Sequence, residues 1–167
     1  MTITELNNLS EKHFFDEMQK CCGSTSWVNE MLVRRPFKNL DDVLNFAEEA
    51  WQNTYEKDWL EAFDHHPKIG DIKSLEEKFA STKTLAGGEQ ASVQSASPIT
   101  LEELVKGNTA YEKKFGFIFI VCATGKTADE MLGLLKARMP NDRNTELTIA
   151  AEEQEKITKL RLKKILA

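Results

Sequence analysis

Phe117-Ile118-Phe119-Ile120-Val121-Cys122-Ala123-Thr124-Gly125-Lys126-Thr127 is the stretch on which the fold class turns. Its first seven residues form the most apolar run in the chain, and its last three imitate the end of the phosphate-binding pattern GxxxxGK[ST]. Taken as strand, loop and helix, the stretch would belong to a mixed α/β nucleotide-binding protein with several parallel strands. The first glycine of that pattern falls on Ile120, however, and no second hydrophobic strand ending in Asp supplies a magnesium ligand. Gly125-Lys126-Thr127 is better read as a turn into a helix, with Thr127 and Glu130 forming its capping box. The apolar run itself reads either as a short buried strand or as the wall of a pocket, and periodicity does not separate the two.

On both sides of this run the signals are helical. Residues 2–9 and 10–22 read as a short helix and a longer one, with Phe14, Phe15 and Met18 as an apolar stripe. Trp27 to Arg35 reads as a further helix, stopped before Pro36. Asn39 supplies an N-cap to a helix carrying Val43, Phe46, Ala47 and Ala50 on one face. Ser74-Leu-Glu-Glu and Thr100-Leu-Glu-Glu read as capping boxes. Between them, residues 81–98 are rich in Ser, Thr, Ala and Gly, and connections this long inside small domains are uncommon unless functional or locally ordered. The last helix is expected from about Asn144 to the end, acidic early and basic late, as the helix dipole favours.

A chain of 167 residues is expected to form one domain, residues 1–167, with a core that needs no metal or crosslink. The net charge of -5 provides no broad basic field for nucleic acid, and no apolar run approaches the ~20 residues of a membrane helix. The first residues do not resemble a signal peptide. Three cysteines, Cys21, Cys22 and Cys122, lack zinc-site or redox-pair spacing, so reduced thiols in a cytoplasmic protein are expected.

The chemistry concentrates in Asp64-His65-His66-Pro67-Lys68-Ile69-Gly70-Asp71. Pro67 disfavours helix for the residue before it, so the preceding helix should stop at His65 or His66, leaving His66 at a helix end with its backbone pinned. One of the two histidines can serve simply as a helix cap. A metal site is not expected, because neighbouring histidines on a helix point about 100° apart and no third ligand stands at proper spacing. Two polar residues occupy apolar faces: Asn108 beside Leu101, Leu104 and Val105, and Arg161 among Leu147, Ala150, Ala151, Ile157 and Ile165. A buried arginine needs a partner or an anion, and for Arg161 a snorkelling pose or an internal ion pair meets that need ahead of an anionic ligand. Cofactor-free acid/base chemistry needs a positioned histidine, a carboxylate, an amide and a cation, and His66, Glu89, Gln90 and Arg161 answer that list. A non-catalytic helical scaffold, with His66 as a cap and Arg161 in an ion pair, is the alternative.

Arg35-Pro36-Phe37, His66-Pro67-Lys-Ile-Gly70-Asp71, Glu89-Gln90, Asn108-x-x-Tyr111, Lys-Phe115-Gly116-Phe117-x-Phe119-Ile-Val-Cys-Ala123, Gly125-Lys-Thr, Arg138-x-x-Asn141 and Lys156-Ile157-x-x-Leu160-Arg161-Leu162 follow one another in an order and spacing that is specific. In these residues the chain resembles the 2-oxo-4-hydroxy-4-carboxy-5-ureidoimidazoline (OHCU) decarboxylases, which complete the conversion of urate to allantoin. The resemblance covers almost the whole length. It implies an all-α fold of about eight helices, a homodimer, and decarboxylation without a cofactor. It also implies His66 as the catalytic histidine, assisted by Glu89. Substrate contacts would come from Pro67, from Ala86, Gly87, Gly88, Glu89 and Gln90, from Phe119, Ile120, Val121, Cys122 and Ala123, and from Arg161. Many family members carry Ser three residues before the glutamate, where this chain has Ala86, so one hydroxyl contact is absent here.

Overall fold

The computed structural model describes residues 1–67, 73 and 97–167. These contain eight α-helices and no strand: α1 (Ile3–Asn8), α2 (Glu11–Cys21), α3 (Thr25–Val33), α4 (Leu40–Gln52), α5 (Glu56–Asp64), α6 (Pro98–Phe115), α7 (Ala128–Arg138) and α8 (Arg143–Ile165). The all-α expectation is met among the described residues. The Ser74 capping box and residues 81–96 lie outside them. The chain divides into two compact units, residues 1–65 with 154–167, and residues 66–153.

In the first unit α1 to α4 each start where a side-chain oxygen is available to an orphan backbone N–H. Thr2 and Glu5 form a capping box on α1, Ser10 accepts from His13 N, Ser24 from Trp27 N, and Asn39 from Asp42 N. Helix α3 packs against α2, α4 and α5, and Trp27 and Met31 on it are fully buried. The Trp27 indole N–H donates to the Ala47 carbonyl at 2.9 Å, so the largest core side chain loses no hydrogen bond on burial. Helix α5 ends at Asp64 with His65 as its C-cap, as Pro67 requires.

Gly23, between α2 and α3, is where His65 fits. A Cβ there would lie 2.2 Å from His65 Cγ and 2.5 Å from His65 Cβ. Both atoms sit close to the backbone, so the imidazole cannot swing clear as a flexible chain end would. Gly23→Ala is therefore expected to cost about 1–3 kcal/mol by overpacking, read by urea unfolding; unchanged stability would show that His65 has another rotamer to adopt.

In the second unit, α6 begins at Pro98 behind an N-cap Ser97 that accepts from Thr100 N. The expected capping box at Thr100 is thus corrected. Proline suits the first helical turn because its missing N–H is an orphan there anyway, so the helix starts three residues earlier. Thr100, now inside the helix, donates its hydroxyl to Asp129 Oδ1 at 2.6 Å and ties α6 to the first turn of α7. Gly116, at φ +81°, ends α6 in the left-handed conformation that glycine reaches without a Cβ penalty. Thr127 and Glu130 form the capping box on α7 as expected.

The apolar faces lie slightly rotated from the expected ones. On α6 the buried stripe is Thr100, Leu104, Asn108, Tyr111 and Phe115, with Leu101 and Val105 half-buried. Asn108 is on the core face, and its amide donates to the Leu104 carbonyl at 2.8 Å. On α8 the buried residues are Glu146, Leu147, Ala150, Ala151, Gln154, Thr158 and Leu162, while Ile157, Arg161 and Ile165 are half-buried. Gln154 and Thr158 take core positions because they satisfy each other: the Gln154 amide donates to Thr158 Oγ1 at 3.2 Å, and the Thr158 hydroxyl to the Gln154 carbonyl at 2.9 Å. Arg161 lies on the row beside the core face, not in it.

Candidate functional site

Phe117 to Ala123 joins α6 to α7 without regular structure, which overturns the strand reading. Phe119, Ile120, Val121 and Cys122 are nevertheless buried. A buried segment outside helix and sheet has backbone polar groups that must find partners, and here side chains provide them. Arg138 Nη1 donates to the Ile120 carbonyl at 2.7 Å, the Cys122 N–H to Glu153 Oε2 at 2.7 Å, and Lys126 Nζ to the Cys122 carbonyl at 2.8 Å. The Lys126 N–H closes the turn on the Ala123 carbonyl at 3.0 Å. No strand forms because the hydrogen bonds that a neighbouring strand would make come from α7, α8 and the turn before α7.

Behind this segment lies a buried charge network. Arg138 is 8% exposed and Glu146 is fully buried. Arg138 Nη2 meets Glu146 Oε2 at 2.8 Å and Nε meets the same oxygen at 2.9 Å. The Tyr111 hydroxyl also donates to Glu146, and the Asn141 amide donates to Glu146 Oε1 at 2.9 Å. The guanidinium stacks over the Phe119 ring at 4.6 Å. Burial alone would raise the Glu146 carboxyl, but the hydrogen bonds from Arg138, Tyr111 and Asn141, with the Arg138 charge, outweigh it and hold the group below its ordinary value of 4.5. Burial, then the bond to Glu146, pushes the Tyr111 phenol above its usual range. Arg138 and Glu146 were not singled out as a pair from sequence. The available signal was a charge in the core register of α7, where Ala128, Met131, Leu135 and Arg138 share the buried face.

The two histidines separate. His65 closes α5, and its Nδ1 donates to the Glu61 carbonyl at 2.9 Å, so the capping role falls to His65. His66, half-buried, and Pro67 follow it at the head of the second unit. Arg161, in the first unit, donates from Nη1 to the Lys20 carbonyl at 3.2 Å in the last turn of α2. This contact matches the helix-end role open to a half-buried cation. Nearby, Cys21 and Cys22 are free and buried, and burial pushes both thiols up to about 12, so neither is a thiolate nucleophile at neutral pH. Ala86, Gly87, Gly88, Glu89 and Gln90 lie outside the described residues. Among those described, no three His, Cys, Asp or Glu side chains are grouped as a metal site, and no helix is long and apolar enough to cross a membrane.

Comparison with known proteins bears on the same residues. The "Uric acid degradation bifunctional protein TTL" of Arabidopsis thaliana is 39% identical over 153 residues, covering 91% of this chain and 47% of that protein. The chain thus spans about half of that relative, and 32% of a similar bifunctional protein of Bacillus sp. that is 28% identical. The 2-oxo-4-hydroxy-4-carboxy-5-ureidoimidazoline decarboxylase of Haloferax volcanii is 24% identical over 97% of this chain and 94% of its own. Among solved structures, an OHCU decarboxylase crystallised in the presence of (S)-allantoin aligns with TM-score 0.75 and 40% identity, over 90% of this chain and 97% of that one. The family model for OHCU decarboxylase matches residues 7–163, taking in His66, the 119–123 segment, its side-chain supports and Arg161, and by that match the chain belongs to the OHCU decarboxylase family.

Proposed function

We propose that this chain converts OHCU to (S)-allantoin, working as one domain over residues 1–167, as a homodimer in the cytoplasm. The observation that carries the reading is the 40% identity, over 97% of its length, to an OHCU decarboxylase crystallised with (S)-allantoin. The family match running through both compact units supports a single functional domain.

In the proposed reaction the bond from ring carbon to carboxylate breaks, carbon dioxide leaves, and its electron pair enters the neighbouring ring imine. The enol-like species that results takes one proton on one face to give the S product. His66 handles that proton or contacts the substrate hydroxyl, and Glu89 orients His66 or holds the same hydroxyl. Pro67 contacts the substrate beside His66, while Gln90, the backbone of Ala86 to Gly88 and that of Phe119 to Ala123 read the ring and ureido amides. A salt bridge from Arg161 to the departing carboxylate would stabilise the ground state and slow the reaction. Arg161 is therefore assigned to a carbonyl or a charge that persists or grows in the transition state.

The test is stereochemical. OHCU generated freshly from urate decays without catalysis to racemic allantoin, so the chain is expected to accelerate the appearance of dextrorotatory product, followed by polarimetry or circular dichroism. A non-catalytic scaffold would leave both the rate and the racemic outcome unchanged.

A further inference from the structure

The side chains around the 119–123 segment do more than neutralise it. A trans peptide unit is planar, and its C=O and N–H point in opposite directions. Arg138 holds the Ile120 carbonyl, so the Val121 N–H in the same unit points away from Arg138. Glu153 holds the Cys122 N–H, so the Val121 carbonyl in that unit points away from Glu153. The two clamps are themselves fixed, Arg138 by the buried Glu146 carboxylate and Glu153 by its place on α8. Lys126 on the Cys122 carbonyl keeps the next unit from rotating.

Among the described residues nothing meets the Val121 N–H or the Val121 carbonyl, although Val121 is only 9% exposed. Buried backbone groups without a partner are rare. Here a donor and an acceptor belong to one largely buried residue, between two peptide planes that are each held by a side chain. A donor and an acceptor fixed together suit a ligand that offers a neighbouring C=O and N–H, the chemistry of a cyclic amide or ureide.

We propose that Glu153 and Arg138 are positioning residues that aim the Val121 N–H and carbonyl at the amide edge of the substrate. This rests on the decarboxylase reading and names which backbone groups of the segment do the recognising. Neither side chain touches the reacting carbon; each acts through the peptide that it holds. Glu153 is the cleaner probe, because Arg138 also carries the buried ion pair.

The experiment compares the wild-type chain with Glu153→Ala, Glu153→Gln and Glu153→Asp in steady-state turnover of freshly generated OHCU, with thermal melting of each. Losing the acceptor frees the peptide to rotate, so Glu153→Ala is expected to raise KM about tenfold, as for one lost oriented hydrogen bond, with kcat within about threefold. Glu153→Gln retains an acceptor oxygen at the same reach and is expected to restore KM to within about threefold of wild type. Glu153→Asp keeps the charge but not the reach, so it should raise KM as alanine does, and it serves if the alanine variant does not fold. The inference is overturned if Glu153→Ala and Glu153→Asp leave KM unchanged, if glutamine is as damaging as alanine, or if kcat alone falls. A wild-type chain that neither turns over OHCU nor binds (S)-allantoin in calorimetry overturns this inference together with the function beneath it; an active wild type with indifferent variants overturns only the inference.

Discussion

Replacing His66 with Asn is expected to lower kcat/KM for OHCU by about a hundred- to ten-thousand-fold, the span of positioned acid/base groups, while leaving the fold in place. The fold should survive because α5 is already closed by His65, whose ring bonds the Glu61 carbonyl, and because Pro67 restricts the backbone at position 66 whatever side chain it carries. The same reasoning makes His65→Asn the matched control. It removes the capping contact, should cost about 0.5–1 kcal/mol as a lost hydrogen bond, and should leave most of the turnover. The pair is read by the rate of (S)-allantoin formation and by thermal melting. A folded His66→Asn enzyme within tenfold of wild type would take the imidazole out of the mechanism. The reverse pattern, with His65 essential and His66 dispensable, would move the proton chemistry back by one residue.

What was legible beforehand follows from how far each interaction reaches along the chain. Helix starts at Thr2, Asn39 and Thr127 are local, because a side-chain oxygen caps an N–H two or three residues away, and these were readable. The α6 start was misplaced because Thr100-Leu-Glu-Glu and Ser97-Pro98 both spell a helix beginning, and only packing against α7 shows that the Thr100 hydroxyl is spent on Asp129. The 117–123 run stayed ambiguous because an apolar run states that it is buried, not what satisfies its backbone; the partners sit on α7 and α8. The α8 face was drawn through isoleucines, whereas Gln154 and Thr158 take core positions by bonding to each other. The family motifs picked out Tyr111, Arg138 and Asn141 without saying that they converge on Glu146, since that carboxylate comes from another helix.

That convergence leads to the largest expected loss of stability. Arg138→Met removes one half of a buried ion pair and leaves the Glu146 carboxylate without its cation, for which about 3–5 kcal/mol is the usual cost. The sign of its pH dependence follows from the balance at Glu146. In the wild type the hydrogen bonds and the Arg138 charge beat desolvation, so the carboxyl sits below 4.5. Its contribution to stability is complete above the unfolded value of 4.5 and is lost as the pH falls through the depressed folded value. Without Arg138, desolvation is opposed only by the Tyr111 and Asn141 hydrogen bonds, and the carboxyl is expected to move above 4.5. The variant then regains stability as Glu146 takes up a proton above 4.5, whereas the wild type loses its own contribution only below 4.5, so the gap between them should narrow as the pH falls from 7 towards 4. Urea unfolding across that range reads the difference. A second substitution, Glu146→Leu on the Arg138→Met background, removes the stranded charge at its source. It should recover a good part of the loss at pH 7, because an apolar pair costs less than half of an ion pair, and it should abolish the narrowing. A penalty below about 1 kcal/mol, in the range of exposed pairs, or one that does not change with pH, would show that the Arg138–Glu146 contact is solvated in solution and does not anchor the segment it supports.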